Sequence, residues 1–190
     1  MKVVIATKNK GKLEEFLYLA QEGNFVFTKL SEDTASPEET GNSFYENALI
    51  KAEHAVNVTG LNALADDSGL EVDYLKGQPG IFSSRFSSKG TDEANNKKLL
   101  RVMRETKEEE RAARFKCCLV FLRKNEEPIS AEGTLEGRIA IAESGSYGFG
   151  YDPIFFIPHL NSHLAELTKE EKNKISHRSD AWKKLMAKLN

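Results

Sequence analysis

Residues 2 to 30 constrain the fold more than any other stretch. Lys2 to Ala6 is a short β-branched run, and the polar, basic loop Thr7-Lys8-Asn9-Lys10-Gly11 carries the chain into Lys12 to Ala20. There Leu13, Phe16, Leu17 and Ala20 recur at i, i+3, i+4 and i+7, the mark of an amphipathic helix. Phe25 to Leu30 predicts a second strand. Strand, helix and strand make a βαβ unit suited to parallel pairing, and the opening therefore predicts an α/β fold.

The rest of the chain continues the alternation. Ser43 to about Val58 predicts a second helix, with Phe44, Ala48 and Ala52 along one side and Lys51 near its middle. Leu61 to Ala65 predicts a buried strand that ends at the acidic pair Asp66-Asp67. Thr91-Asp92-Glu93 opens a third helix with Leu99, Leu100 and Met103 as its apolar stripe, and the charged run Lys107 to Arg111 reads as a solvated connection. Arg114 to Arg123 and Ile129 to Ala142 predict a hairpin, with Gly133 and Gly137 as bulges. The glycine-rich run Ser144 to Pro153 reads as a loop whose backbone approaches something closely. Ile154 to Ile157 is another apolar run, and Ser176 is a suitable N-cap for a last helix carrying Ala181, Leu185 and Leu189. Without a repeat or a low-complexity linker, residues 1–190 predict a single domain whose central hairpin forms a second lobe.

Charge narrows the function. The chain is 39% hydrophobic and 29% charged with a formal net charge of −2, which argues against a general nucleic-acid binder. A small anionic ligand needs only a few local lysines. No apolar run approaches the ~20 residues that span a bilayer, and Met1 to Ala6 is too short for a signal peptide, so no membrane partner is expected. Cys117 and Cys118 are adjacent and would face opposite ways on a strand, which excludes a mutual disulfide or a thiolate metal site and makes a cytoplasmic setting the default.

The chemistry centres on Ala65-Asp66-Asp67-Ser68-Gly69-Leu70. Alternate strand residues face opposite ways, so one aspartate of the pair is expected to be structural and the other to work in a cleft. Taken alone the motif reads as an ordinary turn. A second acidic pair, Glu38-Glu39, and cations at element ends change its meaning. Lys12 sits in a first helical turn, where the dipole opposes it unless an anion lies between, and His177-Arg178 open another helix in the same unfavourable sense, with Lys172 shortly before. A phosphate-bearing ligand would resolve both conflicts, and an ion-pair cluster with Glu166, Glu170 and Glu171 would resolve the second equally well. Gly11-Lys12 is not a P-loop, because Leu13 follows instead of Ser or Thr. Acidic pairs with dispersed lysines suit Mg²⁺ bridging carboxylates to phosphate oxygens, with water as the nucleophile.

Six ordered blocks then resemble one family. Ala6 to Lys12, Glu39-Thr40-Gly41 with Phe44, Glu46-Asn47-Ala48 and Lys51-Ala52, Ala65 to Leu70, Pro79-Gly80 with Ser84-Arg85, Gly148 to Pro153, and Ala165 to Thr168 with Lys172 and Ser176-His177-Arg178 are similar to the signatures of the Ham1 or inosine triphosphate pyrophosphatase family. Ser84 and Ser179 depart from the usual Ala and Gly.

The resemblance implies a homodimeric, Mg²⁺-dependent enzyme with a mixed central sheet flanked by helices and a cleft between two lobes. It implies cleavage of ITP, dITP and XTP to the monophosphate and pyrophosphate, clearing them from the nucleotide pool. By position it assigns Thr7, Lys8, Asn9, Lys10, Gly11, Lys12, Lys51, Lys172 and Arg178 to the triphosphate, and Glu39 and Asp67 to metal, with Asp67 also the catalytic base. It assigns Ser68, Phe149, Gly150, Tyr151, Asp152 and His177 to the nucleoside, Phe149 by stacking. A Maf-like preference for other bases and a non-catalytic nucleotide sensor are the rival expectations; the presence of both Glu39 and Asp67 argues against the sensor.

Overall fold

The computed structural model describes residues 1–19 and 25–189. Along the chain run β1 (Lys2–Ile5), α1 (Lys10–Leu19), β2 (Val26–Lys29), α2 (Phe44–Thr59), β3 (Asn62–Val72), α3 (Asp92–Val102), β4 (Ala112–Leu122), β5 (Ile129–Ile139), β6 (Phe155–Ile157), β7 (Ser162–His163), α4 (Lys169–Ile175) and α5 (His177–Leu189). The strands form a seven-stranded sheet in the order β2-β1-β3-β4-β5-β6-β7. β1 pairs parallel with β2 and β3, whereas β6 pairs antiparallel with β5 and β7, so the sheet is mixed. The expected βαβ opening is present, with Lys2 opposite Val26 and Ile5 opposite Lys29. Ala20, expected on the apolar stripe of α1, lies outside the described residues.

Backbone contacts divide the chain into two compact units. The first comprises Met1–Asp67, Cys117–Gly133 and Arg178–Asn190. In it the strands obey a two-residue period. Val3, Ile5, Leu64, Cys117, Leu119 and Phe121 pack with Phe16 of α1 and with Trp182 and Leu185 of α5. Val4, Ala6, Ala63, Ala65, Cys118 and Val120 pack with Ala48, Ala52 and Ala55 of α2. Alternate residues therefore enter different cores, as pleated backbone requires. The small alanines of α2 allow that helix to lie close on its face. Ser43 caps α2 by accepting the Glu46 N–H at 3.1 Å, and Glu46 accepts the Asn42 N–H at 2.6 Å in return.

The second unit comprises Ser68–Lys116 and Thr134–His177, with one core of Leu70, Val72, Leu99, Met103, Phe115, Ile139, Ile154, Phe155 and Ile157 among others. Gly137 lies inside β5 at a close approach: a Cβ there would come within 2.6 Å of the Phe155 ring and the Phe156 carbonyl oxygen.

Two sequence expectations need correction. β3 does not end at Ala65 but runs to Val72, so Asp66 and Asp67 are mid-strand residues, not turn residues. Their charges are matched by cations described below, which removes the penalty that would otherwise end the strand there. Nor is the 107–111 segment wholly a solvated connection. Arg111 is 2% exposed and its guanidinium donates to four carbonyl oxygens, those of Met103 (2.7 Å), Thr106 (3.2 Å), Ile139 (2.7 Å) and Ala140 (2.8 Å). One planar fork thus ties the end of α3 to the end of β5. Arg111→Met keeps much of the stem but strands those acceptors; urea unfolding is expected to show a loss of about 3 kcal/mol or more.

Candidate active site

The alternation of β3 decides what each aspartate meets. Asp66 falls on the face shared with Leu64, toward α1 and α5, and Asp67 on the face shared with Ala65, toward α2. Lys12 Nζ lies 2.8 Å from Asp66 Oδ2 and Arg178 Nε 3.7 Å from the same oxygen. Arg178 also pairs with Glu15 of α1. Burial disfavours the Asp66 carboxylate, but Lys12 and Arg178 outweigh it and hold its pKa down at about 2. On the opposite face Lys51 Nζ bridges Glu39 Oε1 at 2.8 Å and Asp67 Oδ1 at 2.9 Å, and Asn47 Nδ2 lies 3.4 Å from Asp67 Oδ2. For Asp67 burial wins, and its pKa is raised above the ordinary carboxylate value. The two neighbouring aspartates thus differ electrostatically: Asp66 is held as an anion, and Asp67 is the harder of the two to ionise.

The basic loop is ordered by its own polar groups. Asn9 Oδ1 accepts the Lys12 N–H at 3.0 Å and Thr7 Oγ1 the Asn9 N–H at 3.2 Å, while Lys8 Nζ reaches the Glu32 carbonyl at 3.1 Å. α1 has no acidic residue in its first turn. The anions that reconcile Lys12 and Arg178 with helix N-termini are carboxylates of the chain itself, Asp66 and Glu15. Arg178 is 1% exposed and faces inward.

The second unit gathers the remaining predicted residues. Lys172 Nζ lies 2.5 Å from Asp152 Oδ2 and 4.5 Å from the centroid of the Phe149 ring. Asp152 Oδ2 also accepts the Phe149 N–H at 2.9 Å. Gly148 has φ +78°, and a Cβ there would fall 2.0 Å from Asp152 Oδ2, so glycine alone fits. The Tyr151 ring is buried, its hydroxyl donating to the Ser83 carbonyl at 2.7 Å. The buried His177 ring stacks on Phe115 at 4.9 Å and 12°. Ser68 is half-buried on β3. Lys172 thus belongs to one unit, and Lys12, Lys51 and Arg178 to the other.

A structural aspartate in the pair is expected from the sequence, whereas Glu15 and the contacts of Asn47 are not. Asn47 alone carried a usable signal, a buried amide one turn before Lys51: its Oδ1 accepts the Gly41 N–H at 2.9 Å and ties the Glu39 loop to α2.

The family description "Ham1 family" matches residues 3–188. The chain belongs to the Ham1 family. A protein of Vibrio parahaemolyticus named dITP/XTP pyrophosphatase is 49% identical over 193 residues, covering 100% of this chain and 96% of its own length. Its namesake in Salmonella typhi is also 49% identical, covering 99% and 98%. Among solved Ham1 structures, a HAM1 protein from Coxiella burnetii superposes with a TM-score of 0.90 at 40% identity, covering 100% of this chain and 98% of that one. The Staphylococcus aureus Ham1 protein gives 0.87 at 40% identity, covering 100% and 98%.

The Asp66 cluster makes a testable claim about acid stability. Its folded pKa is depressed, so its contribution is present above the ordinary carboxylate value of 3.8 and is lost as pH falls through about 2. Asp66→Asn leaves two cations without their shared anion, and urea unfolding at neutral pH is expected to show a loss of about 3–5 kcal/mol. The gap from wild type should narrow between pH 4 and about 2, where the wild-type carboxylate is itself being protonated.

Proposed function

We propose that this Ham1 chain is a nucleoside triphosphate pyrophosphohydrolase that converts dITP, XTP and ITP to the monophosphate and pyrophosphate, removing them from the nucleotide pool. The observation that carries the reading is the convergence of Glu39 and Asp67 on Lys51 at 2.8 and 2.9 Å, in a chain 49% identical to proteins named dITP/XTP pyrophosphatase. Hard oxygen donors and an ammonium side by side suit a polyphosphate with its divalent counter-ion. Glu39 and Asp67 would hold Mg²⁺, which would supply charge neutralisation at the phosphate oxygens. The donor set fits, since Mg²⁺ takes one or two carboxylates and completes its shell with water and phosphate.

In this reading Thr7 to Lys12 and Lys51 hold the polyphosphate, and Arg178 acts from behind by fixing Asp66 and, through it, Lys12. Asp67 accepts a proton from water while the water oxygen bonds to phosphorus at the α–β bridge. The bond to the bridging oxygen breaks, and its electron pair leaves with pyrophosphate. A carboxylate whose pKa burial has raised is better matched to that proton than an ordinary one. Phe149 stacks on the base, with Lys172 and Asp152 behind it, and Ser68 contacts the sugar side. The N–H groups of Phe149 and Gly150 are engaged by Asp152 and Asp92, which leaves His177 as the side chain proposed to read the 6-oxo edge. The same proposal includes a homodimer in the cytoplasm. Among the described residues no helix is long and apolar enough to cross a membrane.

The test is pyrophosphate release from ITP, dITP, XTP, GTP and ATP with and without Mg²⁺. Comparable rates for ITP and ATP would overturn the substrate assignment, and full activity in excess chelator would remove the metal. Asp67→Asn is expected to lower kcat by roughly 10²–10⁴. In wild type kcat/KM should fall as the medium is acidified, because Asp67 must be ionised to act, and burial places that fall above the ordinary aspartate value of 3.8. Turnover by Asp67→Asn within threefold of wild type would exclude it as the base.

A further inference from the structure

We infer that Asp92 and Asn96 of α3 are positioning residues that set the Phe149 ring in place and so determine affinity for the purine base; the inference rests on the proposed stacking role of Phe149. Both polar groups of one residue, Gly150, are held by one helix. Its N–H donates to Asp92 Oδ2 at 2.7 Å, and its carbonyl oxygen accepts from Asn96 Nδ2 at 3.1 Å. Asp92 and Asn96 are four residues apart and so share one face of α3. Gly150 has φ +64° with nothing within 4 Å of a would-be Cβ, so its glycine answers to backbone conformation, and that conformation is the one the two side chains grip.

The grip is anchored on rigid ground. Asn96 is 3% exposed, and Leu99, one turn on, is fully buried in the same core as Tyr151 and Ile154. Neighbouring Asn95 faces another way, donating to the carbonyls of Ser83 (3.3 Å) and Ser84 (3.2 Å) and accepting the Ser87 N–H at 2.7 Å. Ser83 O is also the acceptor for the Tyr151 hydroxyl. Residues 149, 150 and 151 are therefore each tied down, Phe149 by Asp152, Gly150 by α3 and Tyr151 by the segment that α3 holds. The Gly150 tie is made by two side chains, Asp92 and Asn96, that have no expected contact to substrate. A stacking platform fixed before the ligand arrives costs no ordering on binding, whereas a loosened one does.

The experiment compares IMP, which has a base and one phosphate, with inorganic pyrophosphate, which has no base, by calorimetric titration of the full chain with Mg²⁺. Asp92→Ala is expected to weaken IMP about tenfold, the cost of immobilising one or two side chains or a short loop, with pyrophosphate unchanged within twofold. Asp92→Asn keeps an oxygen acceptor for the Gly150 N–H and should recover most of the loss. In turnover of ITP the Asp92→Ala defect should appear mainly in KM. Asn96→Ala should repeat the pattern from the carbonyl side, its fold checked by thermal unfolding. Unchanged IMP affinity in Asp92→Ala, or equal losses for IMP and pyrophosphate, would overturn the inference. Phe149→Ala separates the two levels. If it weakens IMP while Asp92→Ala does not, the α3 clamp falls and the stacking role stands; if it leaves IMP unchanged, or wild type binds no IMP, both fall.

Discussion

A pair of neighbouring carboxylates in the middle of a buried strand is the constraint to which the rest of the first unit answers. Pleating sends Asp66 and Asp67 to opposite faces of β3, and each must find cationic partners or lose its charge. The face toward α1 and α5 provides a strong solution, Lys12 with Arg178 backed by Glu15, and the Asp66 carboxylate becomes a fixed anion. The face toward α2 provides a weaker one. There Lys51 is shared between Asp67 and Glu39, and Asp67 stays harder to ionise than a free carboxylate. One strand thus carries a settled charge and an unsettled one, a side chain apart.

The two units divide the labour in their packing. The first has apolar cores on both sides of its strands, and the buried charges of Asp66 and Asp67 are met by Lys12 and Arg178 on one face and by Lys51 on the other. The second has one core and spends many of its polar contacts on ordering loops. Glu166 accepts from Ser144 Oγ, Ser162 Oγ and the His163 N–H, and those bonds hold its pKa down at about 2. The Ala165 carbonyl receives the N–H groups of Ser146 and Tyr147. The glycine-rich loop is bound on one side through this corner and on the other through α3.

Much of this was legible in the sequence wherever periodicity spoke. The βαβ opening, the helix containing Lys51 and the helix opened by Thr91 emerge from apolar spacing and caps, which are local properties. β3 was read too short because Asp-Asp-Ser-Gly carries turn propensity, and what overrides it lies far away at Lys12, Lys51 and Arg178. Arg111 was hidden for a similar reason: a run of charges looks solvated until the carbonyls that receive its guanidinium are brought beside it. The cations at helix starts were rightly read as needing an anion. The sequence could not tell that Glu15 and Asp66 would supply it, since Glu15 sits in α1 as an ordinary charged residue beside its apolar stripe. The glycines of the 148–150 loop were read as permitting close approach, and at Gly148 the approaching group is the Asp152 carboxylate.

The adjacent thiols of β4 have a use that their chemistry alone would not suggest. Burial raises the pKa of Cys117 above the normal thiol range and that of Cys118 to about 12, so neither forms an appreciable nucleophile while the sheet is closed. Yet they are embedded in different cores, Cys117 with Phe16 and Trp182, Cys118 with the alanines of α2. Alkylation of either one is thereby gated by the opening of its own side. Two consecutive residues act as independent witnesses: modification of Cys117 alone would record the lifting of α1 or α5, modification of Cys118 alone the lifting of α2, and joint modification the loss of the whole layer.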